Sequence, residues 1–272
     1  MKDGTVYFAL FVKPWKNLSL SELVMHIRKL GFEWIELPVR PGFLCEPETI
    51  EKSLPEIVRV LGEEGLKVLN ISASLPLTDE RLYSGSLKAG ISMNRVILNR
   101  QEGENYWDAE KRARKILDEA LPFCEKYGYQ IGVQNHYGRC VPVNAMGMYN
   151  LIKDYNPKYV GAIWDPAHNA LEGEDPEPAL DIVASHLCVV NLKNAYWNRT
   201  NGPESEEANW SVYWTSGRHG RASWRRVAGK LKQMAYQGPV CLSAEYSAEN
   251  DVDRLIVEDL AFAKACFELT TD

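Results

Sequence analysis

Six side chains that can do chemistry stand at the ends of four short β-rich runs in the second half of the chain. These are Gln134 and His136 on one run, Asp165 on the next, Asn191 and Lys193 on the third, and Glu245 on the last. A spacing of two places both members of a pair on the same side of an extended strand. With the four runs side by side, Gln134, Asp165, Asn191 and Glu245 bring one oxygen-bearing side chain each towards a common point. Oxygen donors of that kind suit a hard cation such as Mn2+ or Mg2+ better than Zn2+, which favours His and Cys. The competing reading for any single residue is a hydrogen-bonded polar cap on a rim; four in register weigh against it for the set.

Such convergence requires parallel strands, and the rest of the chain supplies them. Eight β-rich runs alternate with helical patterns: Val6 to Val12, Trp34 to Val39, Lys67 to Ser72, Arg95 to Asn99, Gln130 to Asn135, Tyr159 to Asp165, Leu187 to Leu192 and Pro239 to Glu245. Ser19-Leu-Ser-Glu22 and Ser53-Leu-Pro-Glu56 read as capping boxes, and Gly31, Gly65, Gly128 and Gly238 as helix C-caps. The seventh helix is expected to begin near Ser223 and the eighth near Asp251. Strict alternation, with no glycine-rich phosphate motif after a strand, favours a closed barrel over an open doubly wound sheet. The fold class expected is therefore α/β, a single (β/α)8 TIM barrel over residues 1–272. In that fold, polar residues at the C-terminal ends of strands are the catalytic candidates.

About thirty residues, 194–222, separate the seventh strand from the seventh helix, far more than a barrel loop usually takes. The segment carries Trp197, Trp210, Tyr213 and Trp214. Exposed Trp and Tyr suit the apolar faces of sugars, and the alternative is a small satellite core beneath the loop. Trp197 and Trp214 are taken as substrate-binding candidates. Gly217-Arg-His-Gly-Arg221 offers Arg218, His219 and Arg221 to an anion, with a solvated turn as the competing reading. His26 and His186 read as structural.

Composition narrows the classes of partner. A net charge of -6 gives no basic field for nucleic acid. No apolar run approaches the roughly 18 residues of a membrane span. The six cysteines are widely spaced with no CxxC pair, as buried thiols would be. The amino-terminal apolar run is too short for a signal peptide, so a cytoplasmic location is expected. Four Asn-x-Ser/Thr sequons, at Asn17, Asn70, Asn198 and Asn209, matter only if that expectation fails.

The segments IGVQNHYGR, VGAIWDPAHNA, VVNLKNAYW, HGRASW and YQGPVCLSAEY, with GFEWIELPVR near the start, resemble the successive strand-end motifs of the xylose isomerase-like sugar isomerase/epimerase superfamily. That resemblance implies a small-molecule carbohydrate substrate and a divalent metal held from strands five to eight, at Gln134, Asp165, Asn191 and Glu245. It implies a substrate contact at His168 in the D-x-x-H motif, matches His136 to the histidine of the strand-five motif, and places Glu36, on the second strand, near the substrate. Gln134 stands where the family has Glu, and Asn191 where it has His. An amide cannot take up a proton at useful pH, so Glu245 is left as the carboxylate base, with His136, His168 and Lys193 to donate a proton or stabilise an enolate. The chemistry implied is abstraction of a proton next to a carbonyl, leading to isomerisation or epimerisation. Loss of a β-oxygen substituent, as in a lyase or dehydratase, and a non-catalytic sugar-binding barrel are the alternatives. A homo-oligomer is compatible with all of these.

Overall fold

The computed structural model describes residues 6–268; the first five and last four residues, which the one-domain expectation and the amino-terminal reading also cover, lie outside the described residues. The strands run in chain order as β1 (Tyr7–Phe11), β2 (Trp34–Val39), β3 (Lys67–Ala73), β4 (Met93–Val96), β5 (Leu98–Asn99), β6 (Gln130–Gln134), β7 (Cys140–Val141), β8 (Val160–Trp164), β9 (Leu187–Leu192), β10 (Asn194–Arg199), β11 (Trp210–Thr215) and β12 (Pro239–Ser243). The helices are α1 (Leu20–Leu30), α2 (Ile50–Glu63), α3 (Glu80–Lys88), α4 (Tyr106–Tyr127), α5 (Ala145–Ile152), α6 (Pro166–Leu171), α7 (Pro176–Val183), α8 (Trp224–Gln233) and α9 (Val252–Glu268). Eight parallel strands close a barrel in the order β1-β12-β9-β8-β6-β4-β3-β2, which is the (β/α)8 arrangement.

Local signals explain where most helices start. Ser19 and Glu22 form a reciprocal capping box on α1, and Gly31 ends that helix at φ 84°, a left-handed conformation suited to glycine. Ser223 caps α8, and α9 follows a 3-10 turn at Glu249–Asp251. Two expectations need correction. Ser53 lies inside α2, where its hydroxyl donates to the Thr49 carbonyl at 2.9 Å, because Pro47 starts a 3-10 turn that leads into the helix at Ile50. Gly238 caps no helix: α8 ends at Gln233, and Gly238 is needed because a Cβ there would sit 2.5 Å from the Tyr236 ring.

The fourth barrel strand begins at Met93, two residues earlier than expected, and Leu98–Asn99 leaves the barrel to pair antiparallel with Cys140–Val141. The segment expected as a long loop is instead an antiparallel hairpin of β10 and β11, in register from Asn194 opposite Thr215 to Arg199 opposite Trp210. The structural readings of two histidines agree with their contacts. His26 meets Asp253 at 3.0 Å and ties α1 to the start of α9, while His186 bonds the Ser185 hydroxyl and the Tyr155 carbonyl.

Inside the barrel, side chains at period two form layers. Ala9, Phe11, Ile163, Val189 and Cys241 make an apolar plug. The next inward residues towards the strands' C-terminal ends are Gln134, Asp165, Asn191 and Ser243, and beyond them come Lys13, His136, Lys193 and Glu245. The sequence thus turns from apolar to polar to charged along the barrel axis. Among the described residues no helix is long and apolar enough to cross a membrane.

Candidate active site

A cavity of about 1040 Å³ opens at the C-terminal mouth of the barrel, with Lys13, Arg40, Arg95, Gln134, His136, Tyr137, His168, Lys193, Trp214 and Glu245 among its walls. Its floor is a buried hydrogen-bonded layer. The Arg95 guanidinium lies 2.6 Å from Glu36, an ionic contact out of line for a hydrogen bond, and Arg95 Nη1 donates to Gln134 Oε1 at 2.8 Å. Gln134 Nε2 and Asn191 Nδ2 both donate to Asp165 Oδ2, at 3.1 and 2.6 Å, and Ser243 donates to Asn191 Oδ1 at 3.1 Å. Asp165 Oδ1 accepts the backbone N–H groups of Ala167 and His168 as the N-cap of α6. Burial pushes the Asp165 carboxyl up to about 6, against the pull of Lys193 and Asn191.

Above this floor stands a charged triad. Lys193, only 7% exposed, donates to Glu245 Oε2 at 2.8 Å and lies 3.7 Å over the Trp214 ring. Lys13, at the end of β1, bonds the other oxygen of the same carboxylate. Burial opposes ionisation of Glu245, but Lys193 and Lys13 outweigh it and hold the carboxyl well below the usual carboxylate range.

Next to the triad, the His136 and His168 rings lie 3.9 Å apart, with Tyr137 and Trp214 around His168. His136 Nδ1 donates to the Tyr137 carbonyl, which leaves the lone pair on Nε2. Neither nitrogen of the buried His168 has a hydrogen-bond partner among the described residues; its Nε2 is 3.6 Å from Asp165 Oδ2, too far for one. Burial, and then the Lys193 charge, lower the pKa of His168 well below its ordinary value. Burial also lowers that of His136, so both rings are neutral at neutral pH.

The divalent cation implied by the resemblance does not fit this donor set. Both amide N–H groups point at Asp165, and both amide oxygens are occupied, by Arg95 and Ser243. Glu245 is shared by two ammonium groups. Among the described residues no three His, Cys, Asp or Glu side chains are arranged to hold a metal ion.

The other expected residues divide between the mouth and the outside. Trp214 lines the cavity, and Trp197 stands behind Tyr137, donating to the Leu171 carbonyl at 3.0 Å. Glu36 lies buried beneath the floor. The Gly217–Arg221 segment is not at the cavity: Arg218 stacks on Phe262 at 4.1 Å, His219 bonds Ser216, and Arg221 donates to the Ala170 carbonyl. Three of its backbone N–H groups are also occupied, Gly217 by Asp259, His219 by the Ser216 carbonyl and Arg221 by the Ala195 carbonyl. Lys13, Arg40, Arg95 and Tyr137 were not anticipated. Strand-end position was the available signal for Lys13, two residues past β1, and for Arg40, directly after β2, while Arg95 sits inside β4.

Comparison of the whole fold gives solved structures with the same barrel. One is a 3-keto-D-glucoside 4-epimerase from E. coli, with a TM-score of 0.74 and 14% identity, covering 96% of this chain and 100% of that one. Another is an L-ribulose 3-epimerase, with a TM-score of 0.73 and 14% identity over 98% of this chain and 96% of that one. A third is a xylose isomerase-like TIM barrel protein from Mycobacterium smegmatis in complex with magnesium, with a TM-score of 0.70 and 15% identity over 100% of both chains. The sequence matches no curated protein. The family model for the xylose isomerase-like TIM barrel matches residues 24–266, and the chain belongs to that family.

Proposed function

We propose that this barrel is a sugar isomerase or epimerase that moves a proton at the carbon next to a carbonyl, with Glu245 as base and Lys193 as the cation facing the developing oxyanion. The observation that carries the reading is the Lys193–Glu245 contact of 2.8 Å inside the mouth, with Lys193 almost wholly buried. A carboxylate and an ammonium held side by side in a poorly solvated cavity are the two charges enolisation needs: one to accept the proton, the other to stabilise the enediolate oxygen. The epimerases among the structural neighbours support a carbohydrate substrate.

With both ammonium groups in place, Glu245 is a weak base. A sugar carbonyl oxygen that accepts the Lys193 N–H draws that ammonium off Oε2, and the basicity of the carboxylate rises as it loses a positive neighbour. Substrate binding therefore activates the base. Glu245 takes the proton and returns it to the neighbouring carbon, which isomerises the sugar; return to the same carbon epimerises it only after the enediolate has turned its opposite face to Glu245. Neutral His136 and His168 offer ring nitrogens to the sugar hydroxyls and carry the hydroxyl proton that an isomerisation must move. Trp214 covers the Lys193 side and limits water there.

The test is a chromatographic screen of ketoses, aldoses and keto-glycosides, run on wild type and Glu245→Gln. Interconversion of at least one sugar is expected, reduced roughly 10²- to 10⁴-fold in the variant. A panel with no conversion, or conversion indifferent to Glu245→Gln, contradicts the reading.

A further inference from the structure

Beside the main cavity lies a second chamber of about 640 Å³, walled by the β3 and β4 ends and the segments after them, including Ser72, Ser74, Leu77 and Leu98. The two chambers share Arg40, Arg95, Ile97 and His136 as walls. Of the buried and half-buried cations at this junction and mouth, Lys13 and Lys193 are paired with Glu245, and Arg95 with Glu36 and Gln134, while Lys16 at the rim is exposed. Arg40 differs. Its Nη2 donates to the Ser72 hydroxyl at 2.5 Å and its Nε to the Ser72 carbonyl at 3.4 Å, and among the described residues it makes no salt bridge. Guanidinium carries five N–H donors in a planar fork, so the Ser72 contacts fix its orientation and leave donors over.

We propose that the substrate carries an anionic group, a carboxylate or a phosphate, and that Arg40 binds it where the two chambers meet. The inference rests on the reading of the mouth as a sugar site and deepens it to a substrate class. The local charge supports it: Lys13, Lys16, Arg40, Arg95 and Lys193 stand with at most four carboxylates, Glu36, Asp165, Glu245 and Glu249, so the site holds at least one excess positive charge in a chain of net charge -6. A half-buried guanidinium with no carboxylate in direct contact is unfavourable, and its neighbour Arg95 adds repulsion. Burial first, and then Arg95, lower the Arg40 pKa, and the pull of Glu36 and Glu245 only partly offsets them. An anion bound through the fork relieves both effects, whereas a neutral hydroxyl relieves neither.

Three ketohexoses differing only at C6 test this: D-fructose, D-fructose 6-phosphate and D-fructuronate. Binding to the whole protein is measured by calorimetry, with solvent deuterium exchange followed on the same samples. At least one anionic sugar is expected to bind roughly 10- to 100-fold tighter than D-fructose, the range for a hydrogen bond to a charged group. Arg40→Gln should bring that ratio near one, and Arg40→Lys, which keeps the charge but not the fork, should give an intermediate ratio. Whichever anion gains more identifies the group as carboxylate or phosphate. The proposal is overturned if neither anion outbinds D-fructose, or if folded Arg40→Gln keeps the full preference. Deuterium exchange without charge preference would overturn Arg40's role alone, and charge preference without exchange would count against the isomerase reading alone.

Discussion

Replacing Lys193 with Met separates the proposed catalytic role of the buried ammonium from its structural one. Methionine is close in length, unbranched and apolar, so it fills the channel beneath Trp214 while deleting the charge 2.8 Å from Glu245. In the folded protein the loss is partly offset, because Lys13 stays on Glu245 and the desolvation of Lys193 is no longer incurred. Removing one partner of a buried ion pair is destabilising, but Lys13 still faces the partly exposed Glu245, so a loss of about 1 to 3 kcal/mol is expected, or several degrees in Tm. The reaction loses its oxyanion partner, for which removal of one preorganised donor gives about 3 to 4 kcal/mol, or roughly 10²- to 10³-fold in kcat. The pH profile moves as well. Burial raises the Glu245 carboxyl and the Lys193 charge is the largest attraction pulling it down, so without Lys193 its pKa rises. Because Glu245 must be ionised to accept a proton, the acid limb of kcat/KM shifts to higher pH in the variant. The stability contributed by that depressed carboxyl, present above its unfolded pKa and lost as pH falls through the folded one, shrinks in parallel. Steady-state kinetics from pH 4 to 9 with thermal melts check all three. A kcat within threefold of wild type, or a loss matched by collapse of Tm, would refute the reasoning.

Exhaustive treatment with EDTA is expected to leave turnover within twofold, since the amide N–H groups of Gln134 and Asn191 point at Asp165 and two ammonium groups share Glu245; a tenfold loss reversed by Mn2+ would show that the mouth rearranges around a cation. Asp259, buried against Tyr246 and the Gly217 N–H, has its carboxyl pushed by burial up to about 6. The folded chain therefore holds that proton where the unfolded chain has lost it, and stability falls by roughly 3 kcal/mol between about pH 4 and pH 6 on this account. Asp259→Asn should remove that component of the pH–stability curve, and an unchanged slope would contradict it. Gly220→Ala should destabilise by roughly 1 to 3 kcal/mol in a denaturant titration, because its Cβ would overlap Asn194, whose amide anchors the segment before α8 at Gly217 and Ala222.

The barrel was legible because alternation of short β-rich runs with capped helices is a local signal repeated along the chain. The period of two likewise gave the inward direction of Gln134, His136, Asn191 and Lys193. The charges that complete the mouth were less visible. Lys13 stands two residues beyond the inward Phe11, and Arg40 follows β2 at once, so the same strand-end argument applied to the early strands would have found them. What local sequence could not show is pairing. Gly217-Arg-His-Gly-Arg221 resembles an anion-binding turn, yet Asp259, on α9 and distant in sequence, takes the Gly217 N–H, and Gly220 is there for close approach to Asn194. The hairpin of β10 and β11 was hidden by the Asn, Gly, Pro and Glu residues of its turn, although Trp210–Thr215 is itself rich in β-forming residues. Metal ligation at Gln134 and Asn191 was a matter of residue type; the direction of their N–H groups, towards Asp165, is a tertiary fact.

The central claim is that Glu245 exchanges a carbon-bound proton beside a carbonyl held by Lys193. Its most direct measurement is NMR of a converted sugar in D2O with EDTA-treated protein. One solvent deuterium is expected at the carbon next to the carbonyl, incorporated by wild type and lost in Glu245→Gln. Conversion with no deuterium at that carbon, or incorporation that survives Glu245→Gln, would contradict it.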